Sequence, residues 1–157
     1  MLKTVLILLL CINLFSKTIN FKESKYIEAL DQSISKTGYI TYKKDSIETS
    51  YKNSGEILIF REDTLYIKDK EKSSEIDLNR DIGKKIYFTL LEAINTNDLS
   101  NLELYFEIKK ENNEILLKPK EIVASYLKNI KYKKEKKLEY LHINMLNGDR
   151  ITIEQID

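Results

Sequence analysis

Forty-one residues, Gly38 to Leu78, constrain this chain more than any other stretch. They hold five short runs rich in Ile, Tyr, Thr, Leu and Phe, separated by KKDS, KNSG, RED and DKEKSS. Short β-prone runs at close spacing, broken by Asp, Asn, Ser and Gly, predict an antiparallel meander. Ile40 and Tyr42 share a face in the first run, as do Ile47, Thr49 and Tyr51 in the second. The third, Ile57-Leu58-Ile59-Phe60, is apolar on both faces and predicts a sheet covered on both sides there. Leu65 and Ile67 share a face in the fourth, with Tyr66 opposite, and Ile76 with Leu78 make a short fifth. Gly38 and Gly55 fall at strand starts, where a missing side chain permits a bend or bulge. Such a sheet must bury one face, so the covering layer decides what it can do.

The period then changes. Ile82, Ile86, Leu90 with Leu91, and Ile94 recur at helical spacing behind Asp81, a natural N-cap, which predicts a helix over about Gly83–Asn95. Its apolar stripe needs a surface, and the meander is the nearest. Asp98–Leu102 suits a further half-turn of helix. Leu104, Phe106 and Ile108 alternate into a hairpin that turns at Glu111-Asn112-Asn113 and runs back over Glu114–Lys118 until Pro119 stops it. Glu121–Leu127 suits either one helical turn or a bend. Strands follow at Ile130–Tyr132, Leu138–Met145 and Ile151–Ile156, the last two joined by Asn147-Gly148-Asp149, a strong hairpin signal. Near the start, Lys17–Ala29 fits either period; a strand over Asn20–Glu28 with a turn at Asp31–Ser33 is the reading adopted.

The first fifteen residues differ from everything after them. Lys3 precedes Val5–Phe15, an apolar run of eleven residues, too short for the roughly 20 that span a bilayer but right for a signal-peptide core. Residues 1–16 are read as a signal peptide, cleaved after Ser16, and 17–157 as one domain. An uncleaved anchor is the competing reading. Cys11 lies mid-run after Leu10, without the small residue that a lipidation site places before its cysteine. It is the sole cysteine, so the mature chain forms no disulfide, which suits a bacterial periplasm. Without Lys3, 25 basic residues face 25 acidic ones. That balance argues against a nucleic-acid partner, which calls for a basic excess or stripe.

No named catalytic or nucleotide-binding motif is present, and no metal or cofactor is expected. His142, the only histidine, shares a strand face with Tyr140 and Asn144 and has no second histidine or cysteine beside it; a structural role is the simpler reading. Lys131, Lys133, Lys134, Lys136 and Lys137 cluster around Glu135. They suit a solvated hairpin tip that discourages strand pairing better than a lipid-headgroup contact.

Several segments, in order, resemble the periplasmic outer-membrane lipoprotein carrier family, the LolA type. GYITYKKD (Gly38–Asp45) is similar to that family's G-x-L-x-x-(K/R)-R-P strand, and REDTLYIKD (Arg61–Asp69) to its S-D-G-x-x-L-x-x-Y segment. YFTLLEAI (Tyr87–Ile94) resembles its helix, EILLKPK (Glu114–Lys120) its F-x-L-T-P-K strand, and NGDR its late hairpin. The chain departs from the pattern at Lys44-Asp45, where the family has Arg-Pro, and at Glu48-Thr49 and Ser54. The resemblance implies a mainly β fold, an incomplete antiparallel barrel or strongly curved sheet covered by one main helix and short helical turns. It further implies a non-enzymatic, monomeric carrier that shields the acyl chains of a lipoprotein, or of a related amphiphile such as a glycolipid. An inner-membrane donor and an outer-membrane acceptor would be its partners. Lys44 would stand in, as a non-bidentate substitute, for the arginine that holds the family's lid closed.

On this reading the cavity is lined by Ile40, Tyr42, Ile47, Tyr51, Leu58, Phe60 and Tyr66 from the sheet and by Leu90, Leu91 and Ile94 from the helix. Which alternate face is concave stays open. The rival is a fully packed interaction module of the envelope, and the two differ in whether the helix leaves an apolar hollow.

Overall fold

The computed structural model describes residues 16–157; the signal-peptide reading and Cys11 lie outside that range apart from Ser16. Strand β1 spans Lys17–Ile27 and pairs along its length with β2, Gln32–Tyr42. From β2 the chain steps outward through β3 (Ile47–Tyr51), β4 (Ile57–Arg61), β5 (Thr64–Lys68) and β6 (Ser73–Asp77), each antiparallel to the last. Helix α1, Ile82–Thr96, follows. The chain then steps back through β7 (Phe106–Glu111), β8 (Glu114–Pro119), β9 (Leu127–Lys134), β10 (Leu138–Met145) and β11 (Arg150–Gln155). Strand β11 pairs with the free side of β1, giving one sheet ordered β6-β5-β4-β3-β2-β1-β11-β10-β9-β8-β7. The sheet is two meanders sharing β1, with the helix between them in sequence, and its outer strands β6 and β7 do not pair.

Local chemistry explains most of this. Helix α1 starts where Asp81 Oδ1 accepts the Lys84 amide at 3.1 Å, satisfying an orphan donor of the first turn, and ends at Asn97, whose φ of 59° is left-handed. The two-residue turns at Glu62-Asp63 and Asn112-Asn113 both hold positive φ, matching the twist of their flanking strands. Gly148, at φ 89°, faces the Glu28 side chain so closely that a Cβ there would lie 2.7 Å from Cγ.

One face carries the core. Ile19 and Phe21 of β1, Ile40 and Tyr42 of β2, Ile47 and Thr49 of β3, Leu65 of β5, Ile130 of β9, Leu141 and Ile143 of β10 and Ile153 of β11 are buried. They pack with Ile86, Phe88, Leu90, Leu91, Ala93 and Ile94 of the helix. In a flat sheet β5 and β9 would stand seven strands, about 34 Å, apart. Yet Leu65 and Ile130 line the same pocket under α1. The sheet is therefore strongly curved around the helix.

Four details of the sequence reading are corrected. Strand β1 begins at Lys17, not Asn20, because Lys17-Thr18-Ile19 finds a full register against Tyr42-Thr41-Ile40. The tight turn after it is Glu28–Asp31, with Asp31 left-handed, and Gln32 already belongs to β2. Gly38 sits inside β2 rather than at its start; a Cβ there would lie 2.1 Å from Ser50 O, so only glycine allows β3 to approach. The outer face of β4 is not covered: Ile57 is 41% exposed, and Ile59 is only half-buried between Glu48 and Tyr66 on the adjacent strands. Neighbouring side chains of the same sheet, rather than a second layer, give Ile59 its partial shelter.

Candidate functional site

An apolar pocket of about 440 Å³ lies beneath the N-terminal part of α1. Leu58 and Leu65 wall it from the first meander; Ile130, Ile143, Met145 and Ile151 from the second; Ile86, Tyr87, Phe88 and Leu90 from the helix. Tyr126 and Leu127 close it where the Pro119–Leu127 connection enters β9. Its charged lining residues are Asp81 and Lys84 at the helix start, and they are ion-paired to each other. Two hydroxyls of lining residues, Tyr87 Oη and Tyr126 Oη, are buried without a hydrogen-bond partner. Burial raises the Tyr87 phenol well above its ordinary value, and that of Tyr126 is also raised, again chiefly by burial.

The two ends of the helix differ. At its C-terminal end Lys134 reaches in from β9 and its Nζ donates to Ile94 O and, at 3.1 Å, to Asn97 Oδ1. The ammonium thus meets carbonyls that the helix leaves free, where its charge also suits the helix dipole. Toward the β1–β2 hairpin tip the inner face turns polar. Tyr51 Oη donates to Glu23 at 2.6 Å, Lys36 lies 3.5 Å from Glu23, and its Nζ is 3.8 Å from the Tyr51 ring centroid. Burial, reinforced by the Glu23 carboxylate, raises the Tyr51 phenol, so it stays a donor.

Among the described residues five large aliphatic side chains are more than half exposed: Leu30, Ile34, Leu104, Ile122 and Leu146. All five belong to one end of the sheet, where hydrogen bonds tie its connections together. The Glu28 amide donates to Asp149 Oδ1, the Leu146 amide to Tyr126 O, and the Lys120 amide to Tyr105 O. Tyr126, Leu127 and Met145 place the pocket's end beside this rim.

The residues proposed from sequence as cavity liners fall into four groups. Leu58 and Leu90 line the pocket. Ile40, Ile47, Leu91 and Ile94 lie in the closed core, with Tyr42 at its edge beside the Lys43–Ser46 turn. Phe60 stacks on Phe88 at 5.1 Å between centroids, and Tyr51 is engaged with Glu23. Tyr66 is on the opposite face, paired with Ile59 and under Arg61 at 5.4 Å. Lys44 stands exposed in the β2–β3 turn, beside a polar pocket near Glu92 and Thr96; the ion pair of that turn belongs to Lys43, with Glu48. The sequence reading missed the walls supplied by β9, β10 and β11, although Leu127–Lys134, Leu138–Met145 and Ile151–Ile153 show the required alternation.

The remaining candidates have structural surroundings. His142 stacks on Tyr140 at 4.6 Å on the outer face, and partial burial lowers its pKa. Of the lysine cluster, Lys133 pairs with Glu139 at 2.9 Å, Lys131 with Glu114 at 3.8 Å, and Lys134 caps α1. Among the described residues no group of three or more His, Cys, Asp or Glu side chains is placed to hold a metal, and no helix is long and apolar enough to cross a membrane.

No family model matches the chain, and no curated protein does. The crystal structure of a LolA superfamily protein from Nitrosomonas europaea is similar, with a TM-score of 0.48 and 8% identity over 92% of this chain and 86% of that one. A likeness of that strength assigns no family. The fold class rests on the chain's own geometry, a single open antiparallel sheet curled around one main helix.

Proposed function

We propose that this chain is a non-enzymatic carrier that shelters the apolar part of an acylated amphiphile between its curved sheet and helix. The observation that carries the proposal is the pocket under α1: about 440 Å³, walled by aliphatic and aromatic side chains from both meanders. Its volume is within the range of pockets that enclose small ligands. An acyl chain in water needs such shelter, because each buried methylene is worth about 0.8 kcal/mol. The exposed aliphatics at the adjacent rim suit transfer across an apolar surface. The setting proposed is the periplasm, reached with the N-terminal signal peptide, with an inner-membrane donor and an outer-membrane acceptor as partners and a lipoprotein or glycolipid as cargo.

The test is recovery of the protein from its native envelope under mild conditions, followed by mass spectrometry of bound lipid. Reproducible co-purification of an acylated species supports the carrier. A ligand-free protein that also fails to bind a solvatochromic lipid probe supports the packed interaction module instead.

A further inference from the structure

We infer that the pocket takes one acyl or alkyl chain per protein, so that its ligand is a single-chain amphiphile rather than a molecule burying two or three chains. The inference rests on the carrier reading and sharpens it. Capacity comes first. A dry cavity of about 150 Å³ accommodates benzene, six carbons. By that ratio 440 Å³ accommodates roughly eighteen carbons, the length of one long chain.

The further room along the helix is polar: the hollow beside Glu92 and Thr96 is rimmed by Lys43, Asp45, Arg61 and Glu62 and does not suit a second alkyl chain. Past Leu90, the inward residues Leu91 and Ile94 are 1% and 3% exposed and pack in the closed core. Lys134 fixes the end beyond them by bonding the Ile94 carbonyl and Asn97. A second long chain would have to lift the helix from that core. Polarity agrees: among the described residues the pocket's charged lining residues, Asp81 and Lys84, sit together at the start of α1, leaving one polar corner and an otherwise apolar space. One head and one tail match that layout.

The experiment is calorimetric titration of the full chain with saturated fatty acids of increasing length and with a palmitoyl lysophospholipid, each below its aggregation concentration. Native mass spectrometry after incubation with vesicles of a dipalmitoyl phospholipid supplies the two-chain arm. The expected result is one site, an affinity that rises roughly fourfold per methylene and levels off near eighteen carbons, and no 1:1 complex with the two-chain lipid. The free acid and the lysophospholipid both bind, and the difference between them identifies the source of the head. Ile151→Trp, which fills a half-buried part of the wall, moves the plateau to shorter chains; if it fails to fold, the length series on the unaltered protein decides. An affinity that keeps rising past the plateau, or a 1:1 complex with the two-chain lipid, overturns the single-chain limit while leaving the carrier reading intact. Failure of every chain to bind overturns the carrier reading itself.

Discussion

The two halves of α1 have nearly the same hydrophobic character and opposite surroundings. Leu91, Ala93 and Ile94 in the C-terminal half press into a closed core, and Lys134 holds the carbonyls behind them. Ile86 and Tyr87 in the N-terminal half, with Leu90 just past the midpoint, are as apolar but face a hollow of about 440 Å³. Helical periodicity cannot tell these halves apart, because each presents one apolar stripe to the sheet. The difference lies in what the sheet presents in return. Tyr42, Ile47 and Phe60 lie beside Glu92, Asn95 and Thr96 of the C-terminal half, whereas the walls under the N-terminal half come from strands brought together only by curvature. The helix is thus packed on the closed core at one end and stands over a void at the other, where Lys85 pairs with Asp63 at 3.2 Å.

Truncation should separate the halves most strongly. Leu91→Ala removes buried methylenes from a close-packed site and should cost about 3–4 kcal/mol of unfolding free energy. Ile86→Ala removes a similar side chain beside an existing void, where fewer partner atoms are lost, and should cost roughly 2 kcal/mol. Urea unfolding of both variants checks the ordering. Equal losses would mean that the pocket collapses in solution and that the halves are equivalent.

The anchor comes next. Lys134→Met keeps the aliphatic stem but leaves the Ile94 carbonyl and Asn97 side chain without their donor, at a cost of about 1–2 kcal/mol. Amide exchange should accelerate at Ile94–Asn97 while the first turn of α1 is unchanged. Uniform acceleration along the helix would show that Lys134 is not a local anchor.

Much of the fold was legible because each local signal agreed with the next. The five runs of Gly38–Leu78 became β2 to β6, the change of period at Asp81 marked α1 within a residue or two, and Asn147-Gly148 placed the last hairpin. The site was less legible. Its walls are shared by β4, β5, α1, β9, β10 and β11, segments up to 93 positions apart (Leu58 to Ile151), and no local pattern reports their convergence. The first meander alone suggests Ile40 and Ile47 as liners, whereas both are buried in the closed core. The family resemblance pointed to Lys44 as the latch, whereas the lysine that reaches the helix end is Lys134, hidden within a run that reads as a solvated tip.

At the other end of α1, Asp81 caps the first turn and pairs with Lys84, and these bonds hold its carboxyl below the ordinary value of 3.8. With the folded value depressed, this stabilisation is fully present above pH 3.8 and is lost as pH falls through the lowered folded value. Asp81→Asn retains an acceptor for the Lys84 amide but not the charge. It should cost about 0.5–1 kcal/mol near neutral pH and remove that part of the acid-side decline, as measured by thermal melts from pH 2 to 7. An unchanged acid profile would place the decline elsewhere in the molecule.

The smallest effect has the opposite sign. Tyr87 brings a buried hydroxyl with no partner to a pocket wall, a position where a hydrogen-bonding group is a liability unless something bonds it. Leaving such a group unsatisfied costs about 1–3 kcal/mol, so Tyr87→Phe, which deletes only the oxygen, should leave stability unchanged or raise it by up to about 1 kcal/mol. The same substitution at Tyr140, whose hydroxyl donates to Glu114 on the outer face, should lower stability slightly. Paired melts of the two variants read the contrast directly. A loss at Tyr87 as large as that at Tyr140 would mean that the hydroxyl is bonded in solution, and the hollow half of α1 would then be held by polar contact as well as by its apolar face.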